Sequence, residues 1–323
     1  MTRLIAALAT LALAAGLAAC GSSDNNDKGT SSSGGGNANA QTIRSNPANK
    51  NVSVTIGSKN FTEEFILGNI YAQALQAAGY KVKTQLNLGS EQIALKALKG
   101  GQIDAYPEYT GTALTSFFNA KTTDIPTDPQ QAYQQAKSDF AKDGLTALPP
   151  TPFTDSNALA VTQATADKLG VKSISDLKAK AGGLTLSGSP ECRQRQDCLL
   201  GLQKVYGINP GKFTVVDPSL RHEVLQKGQA DASFVFTTDG QIKANKEVLL
   251  TDPKNIFPPY NITLVVRDQT VQKAGPDFAK TIALVQKGMT TQVMQELNSR
   301  VDLDKQKPAA VAKQYLTESG YIK

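Results

Sequence analysis

The chain has no tryptophan, one histidine (His222) and three cysteines in 323 residues, and its aromatic content is 9 tyrosines and 11 phenylalanines. A single histidine without a partner pattern gives no support for a Ser-His-Asp arrangement, and no Gly-x-Ser-x-Gly elbow occurs. No Walker-type glycine loop is present to cradle a phosphate, and no His/Cys/Asp/Glu spacing suits a metal ion. The net charge of +6 is spread along the sequence, without the Lys/Arg blocks of a nucleic-acid binder. Only one long apolar run exists, at the start. These absences point away from an enzyme, a resident metal or cofactor and a nucleic-acid partner; an envelope hydrolase is the weak alternative.

What is present begins with MTRLIAALATLALAAGLAAC. One cation, Arg3, precedes an apolar stretch at 4–19 that is too short and too Ala-rich for a comfortable membrane span. Residues 1–19 therefore read as a secretory signal peptide. They lead into Leu17-Ala18-Ala19-Cys20, which resembles the lipobox of bacterial lipoproteins. The resemblance implies that Cys20 is acylated and becomes the new N-terminus, holding the protein on the extracytoplasmic face of the cell membrane at about 0.8 kcal/mol per buried methylene. Residues 20–50, rich in Gly, Ser and Asn, cannot bury enough surface to offset their ordering entropy. They are expected to form a flexible tether with a reach of about 30 Å.

The body, 51–323, is long for one core and comfortable for two lobes. In "VSVTIGSKNFTEEFILGNIYAQALQAAGY" alternation predicts a strand, then a helix opened by an Asn60/Glu63 capping box. Phe65, Ile66, Ile70, Tyr71, Ala74 and Leu75 form its apolar face, leaving Glu63 and Glu64 on a solvated one. "KVKTQLNL" and "QIDAYPEY" read as further strands around the helix "SEQIALKALKGG". After "TALPPTPFTD" the rhythm restarts with "NALAVT", "LTLSG", "FTVVD", "ADASFVF" and "NITLVVR". Two α/β lobes follow, 51–152 plus 262–323 and 153–261, with a ligand cleft between them. Cys192 and Cys198, six residues apart, are expected to form a disulfide; a metal site is the rival reading.

In open α/β sheets ligands sit beyond the carboxyl ends of the strands, where "GSKN" and "DAYPEYTGT" fall. The second stretch places Tyr106 and Tyr109 in a loop. A permanent cation without N–H donors is held by ring faces, each worth about 0.5–2 kcal/mol. A ligand that also carries a carboxylate calls for lysine, arginine and hydroxyl groups at its other end.

"IGSKNFTEEFILGNIYAQAL", "LGSEQIALKALKGGQIDAYPEYTGTAL", "TTDGQI", "FPPYNITLVVR" and "MQELNSRVDLDKQKPAAVAKQYL" resemble the substrate-binding proteins of ABC importers for quaternary ammonium osmolytes, over 52–323. The resemblance implies a periplasmic-binding-protein fold of the type II kind and capture of a glycine-betaine-like zwitterion as a monomer. It also implies delivery to an ABC permease of the cytoplasmic membrane for osmoprotectant uptake; osmolyte sensing is the alternative. Carried over by motif, the ligand groups fall on Lys59, Tyr109, Thr112, Asp155, Arg195 (with Arg193 as competitor) and Tyr260. Two cage positions where the family has tyrosine are Asn157 and Phe236 here. Tyr106 is expected to pack inward, and His222 to be structural.

Overall fold

The computed structural model describes residues 42–323; the signal peptide, Cys20 and most of the tether lie outside the described residues. Among the described residues ten strands occur in chain order: β1 (Ser53–Gly57), β2 (Lys81–Gln85), β3 (Ala105–Tyr109), β4 (Leu145–Ala147), β5 (Asn157–Thr162), β6 (Thr185–Gly188), β7 (Lys212–Val215), β8 (Ala232–Phe236), β9 (Glu247–Leu250) and β10 (Ile262–Arg267). They form two five-stranded sheets, ordered β2-β1-β3-β10-β4 and β7-β6-β8-β5-β9. The sequence pattern does not announce β4 and β9; β4, three residues long, is too short for a period to show.

Helix α1 (Thr62–Ala77) joins β1 to β2 and α2 (Glu91–Lys99) joins β2 to β3, so these three strands run parallel. Strand β10 enters antiparallel between β3 and β4. In the second sheet β6, β7 and β8 are parallel, while β5 runs antiparallel to β8 and β9. The chain passes from the first sheet to the second after β4 and returns before β10. The two passages pair at Thr154 and Asn261, and Asn261 Nδ2 donates to the carbonyls of Thr151 and Phe153 at 3.1 and 3.0 Å.

Three expectations change in the folded chain. Helix α1 has Phe61 at its N-cap position and no side-chain cap, and Glu63 and Glu64 are 3% and 0% exposed rather than solvated. The apolar face of α1 is only part of its buried surface: β3 and the helices Pro276–Gln286, Thr291–Asp302 and Pro308–Glu318 also pack on it. Residues 42–50, assigned to the tether, belong to the body. Ile43 N donates to Tyr321 O at 2.8 Å, Asn49 Nδ2 donates to Ala78 O at 2.9 Å, and Pro47–Asn51 forms a 3₁₀ turn capped by Asn46. Finally, Tyr106 and Tyr109 lie in β3, as the strand pattern of "QIDAYPEY" has it, and not in a loop. Pro107 is tolerated there because pairing with β1 is confined to Ile56 and Ala105, so its missing N–H falls beyond that ladder.

Cys192 and Cys198 are bonded to each other, which removes the metal alternative, and both are buried. Closing so short a loop restricts the unfolded chain by about 2–3 kcal/mol. Denaturant titrations of wild type and a Cys192→Ser/Cys198→Ser variant should differ by that amount. Two freely alkylatable thiols in the native protein would contradict the bond.

Candidate ligand-binding site

The parallel strands β1, β3, β6, β7 and β8 point their carboxyl ends, and the antiparallel strands β5 and β10 their amino ends, at one cavity of about 80 Å³. Lys59 follows β1, and Tyr109 and Thr112 stand at the end of β3. Arg195 lies on the disulfide loop after β6, Phe236 ends β8, Asn157 opens β5, and Asp155 and Tyr260 lie on the two passages between sheets. All eight residues singled out from the sequence line this cavity. Arg193 does not: its guanidinium stacks 5.1 Å from the Phe213 ring and donates to Phe213 O at 3.0 Å.

The wall holds more rings than the sequence suggested. Phe61 lines the cavity, with its centroid 5.9 Å from Tyr109 and 5.1 Å from Phe236. Its signal was an aromatic residue between polar Asn60 and Thr62, off the apolar stripe of α1. Tyr260 lies against the turn that follows β3, where only glycine fits: a Cβ at Gly111 would come 2.7 Å from the Tyr260 ring. Asn157 replaces a ring but is no empty gap. Its Nδ2 donates to Tyr260 Oη at 3.1 Å and to Asp197 at 3.2 Å.

Every basic group of the cavity is already paired. Lys59 Nζ contacts Glu108 Oε1 at 2.5 Å and Glu64 Oε1 at 3.6 Å, and lies 4.4 Å from the Tyr109 ring centroid. Burial alone would lower its pKa; Glu108 and then Glu64 outweigh it and raise it. Arg195 grips Asp197 through Nε at 2.8 Å and an amino nitrogen at 2.5 Å. It also reaches across the cleft to Thr112 Oγ1 at 3.4 Å and Glu91 at 3.6 Å. Asp197 is held below the usual carboxylate range: burial opposes this, but Arg195 and the Tyr260 hydroxyl, 2.6 Å away, prevail. Arg221, another wall residue the sequence reading missed, bonds Asp239 through two nitrogens and covers the Phe236 ring at 4.2 Å. Behind it His222 bonds Asp239 and Glu247 at 2.9 and 2.7 Å, which raises its pKa against burial. His222 thus supports Arg221 from outside the wall.

Acids outnumber bases. Glu63, Glu64, Glu91, Glu108, Asp155, Asp197 and Asp239 are buried in or directly behind the wall, against Lys59, Arg195 and Arg221. Asp155 accepts from Thr238 N at 3.2 Å, and burial, then Glu63 and Asp239, push its pKa well up. Glu63 is raised chiefly by burial, against donors from Thr238, Asn298 and Tyr109. A cavity with surplus buried carboxyls gains most from a guest that brings positive charge.

A family model described as the substrate binding domain of ABC-type glycine betaine transport systems matches residues 52–318. The glycine-betaine-binding protein of Pseudomonas aeruginosa is 35% identical over 274 residues, 81% of this chain and 86% of that protein. The glycine betaine-binding protein YehZ of Escherichia coli is 28% identical over 281 residues, 84% and 92% of the two chains. A crystal structure described as a glycine betaine/carnitine/choline ABC transporter superposes with a TM-score of 0.67 at 28% identity, covering 84% of this chain and 100% of that one.

Proposed function

This chain belongs to the family of substrate-binding domains of ABC-type glycine betaine transport systems, and from that premise we propose that it captures a betaine-like quaternary ammonium zwitterion for delivery to an ABC permease. One observation carries the reading. Eight residues from strand ends and interlobe passages meet at one ring-walled cavity with an excess of buried acid. The trimethylammonium group rests against Tyr109, Phe61 and Tyr260, beside the Asp155 carboxyl, whose ionised form the ligand's charge would favour. The ligand carboxylate lies at Thr112 and Arg195, which already face each other across the cleft at 3.4 Å, so that it completes the bridge between lobes. Lys59, tied to Glu108, backs Tyr109. Capture proceeds without turnover and in a single copy, since one chain supplies the whole wall. The Cys20 lipobox and the tether would keep the protein on the extracytoplasmic face, within reach of its permease.

Titration calorimetry against glycine betaine, proline betaine, carnitine and choline tests the reading directly. Tyr109→Ala removes a ring and admits water, and should weaken glycine betaine binding about five- to thirty-fold. Tyr109→Phe keeps the ring and should lose less. No heat from any of these ligands would overturn the ligand class, and Tyr109→Ala binding like wild type would remove Tyr109 from the cage.

A further inference from the structure

Behind Tyr109 stands a carboxyl group outside the cavity lining. The Tyr109 hydroxyl donates to Glu63 Oε1 at 2.9 Å. The other oxygen, Oε2, accepts from Asn298 Nδ2 at 3.0 Å, and the same amide donates to Thr238 O at 3.0 Å. Glu63 and Asn298 are 3% and 2% exposed. Glu63 opens α1, Tyr109 ends β3, Asn298 lies on the helix Thr291–Asp302, and Thr238 follows β8 in the other lobe. Each atom of this chain has one function in it: donors from two distant elements converge on the carboxyl, and the carboxyl faces the far end of a cage wall.

We infer that Glu63 supplies, through the Tyr109 hydroxyl, part of the negative charge that the cage offers its cation, and that Asn298 positions Glu63 for this. Neither residue touches the ligand; both act through Tyr109, and the inference rests on the cavity being a quaternary ammonium site. Burial favours the neutral form of Glu63, but the donors from Tyr109 and Asn298 favour the ionised one, and so does a cation held in the cage. A phenol that donates to a carboxylate gains electron density on its oxygen and, by conjugation, over the ring, so the ring face attracts a cation more strongly. The ring already shows its affinity for a cation, holding the Lys59 ammonium at 4.4 Å. Low local polarity strengthens the effect, because almost no water reaches either partner. Asn298 adds a link to lobe closure: it ties the same carboxyl to Thr238 of the opposite lobe, whose backbone N–H holds Asp155.

The test compares glycine betaine with 3,3-dimethylbutanoate, the isostere in which carbon replaces the charged nitrogen. Glu63→Gln keeps the shape and an acceptor for the Tyr109 hydroxyl but removes the charge. It should weaken glycine betaine about three- to ten-fold and leave the carbon isostere nearly unchanged. Tyr109→Phe cuts the relay and should give a similar selective loss. Because both changes break one path, the double variant should lose no more than the larger single loss. Equal losses for both ligands, no loss for glycine betaine, or losses that add in the double variant would each overturn the inference. Where the isostere binds too weakly to measure, non-additivity decides alone; where Glu63→Gln does not fold, the selectivity of Tyr109→Phe decides. A wild type that binds no quaternary ammonium compound would sink the cage reading and this one together, whereas wild-type binding with an unaffected Glu63→Gln sinks only this one.

Discussion

Replacing Arg195 with methionine is expected to remove about 3–5 kcal/mol of folding stability and to weaken glycine betaine binding at least about thirty-fold. The stability loss comes from Asp197, which is completely buried and bonded to Arg195 through both oxygens. Without the guanidinium it keeps only the Tyr260 hydroxyl and the Asn157 amide. The affinity loss has a different source, because Arg195 also spans the cleft to Thr112 and Glu91. The two effects separate in a double variant. Arg195→Met/Asp197→Leu removes the stranded charge and should recover most of the stability while binding stays poor. Denaturant titration and calorimetry on the three proteins decide this. An Arg195→Met protein as stable as wild type would show that the pair is not buried in solution.

Lys59→Met should be as damaging, with a dependence on pH that identifies the cause. One ammonium serves two buried carboxyls, Glu108 at 2.5 Å and Glu64 at 3.6 Å. Glu64 is pushed up to about 8 in the folded wild type, by burial first and against the pull of Lys59. Its folded value lies above its ordinary value of 4.5, so the folded state binds more protons between those limits. Wild-type stability from this group therefore falls as pH rises through that window. With Lys59 gone no ammonium faces the two glutamates, and Glu64, already inclined to keep its proton, is costlier still to ionise. The variant should lose about 3–5 kcal/mol at pH 8 and distinctly less near pH 5. A loss of the same size at both pH values would mean that the carboxyls do not depend on Lys59.

The alternation of strands and helices was legible because each element shows its own period, and so was the doubling into two α/β lobes. The site residues were legible through motifs rather than periodicity. "GSK", "YPEYTGT" and "FPPY" put Lys59, Tyr109, Thr112 and Tyr260 at strand ends, where the sheets bring them together. The partners of those residues were not legible. Glu63 and Glu64 follow a helix start and look solvated, and only the arrival of Tyr109 and Asn298 from remote segments, with Lys59 turning back onto Glu64 from just before the helix, makes them interior. Arg221 sits in "SLRHEVL" like any helix-face arginine, and its place over Phe236 depends on Asp239 in a different turn. Tether and body differ in composition, yet Asn46 and Asn49 read as tether while their amides serve as caps and docking donors. Polar residues carry this ambiguity because their burial is decided by partners, whereas the burial of leucine is decided by its own surface.

Strand β10 lies between β3 and β4 although the whole second sheet precedes it in the chain. A growing polypeptide therefore completes the inserted lobe, all of whose strands lie within 157–250, before the lobe that was started first. Until 262–267 emerge, β4 has no strand to pair with and β3 lacks its longest pairing. Those bare edges are open to pairing with other chains. The order of maturation thus runs opposite to the order of synthesis, and the nascent first lobe is the part that needs shielding while the ribosome finishes the last fifth of the molecule.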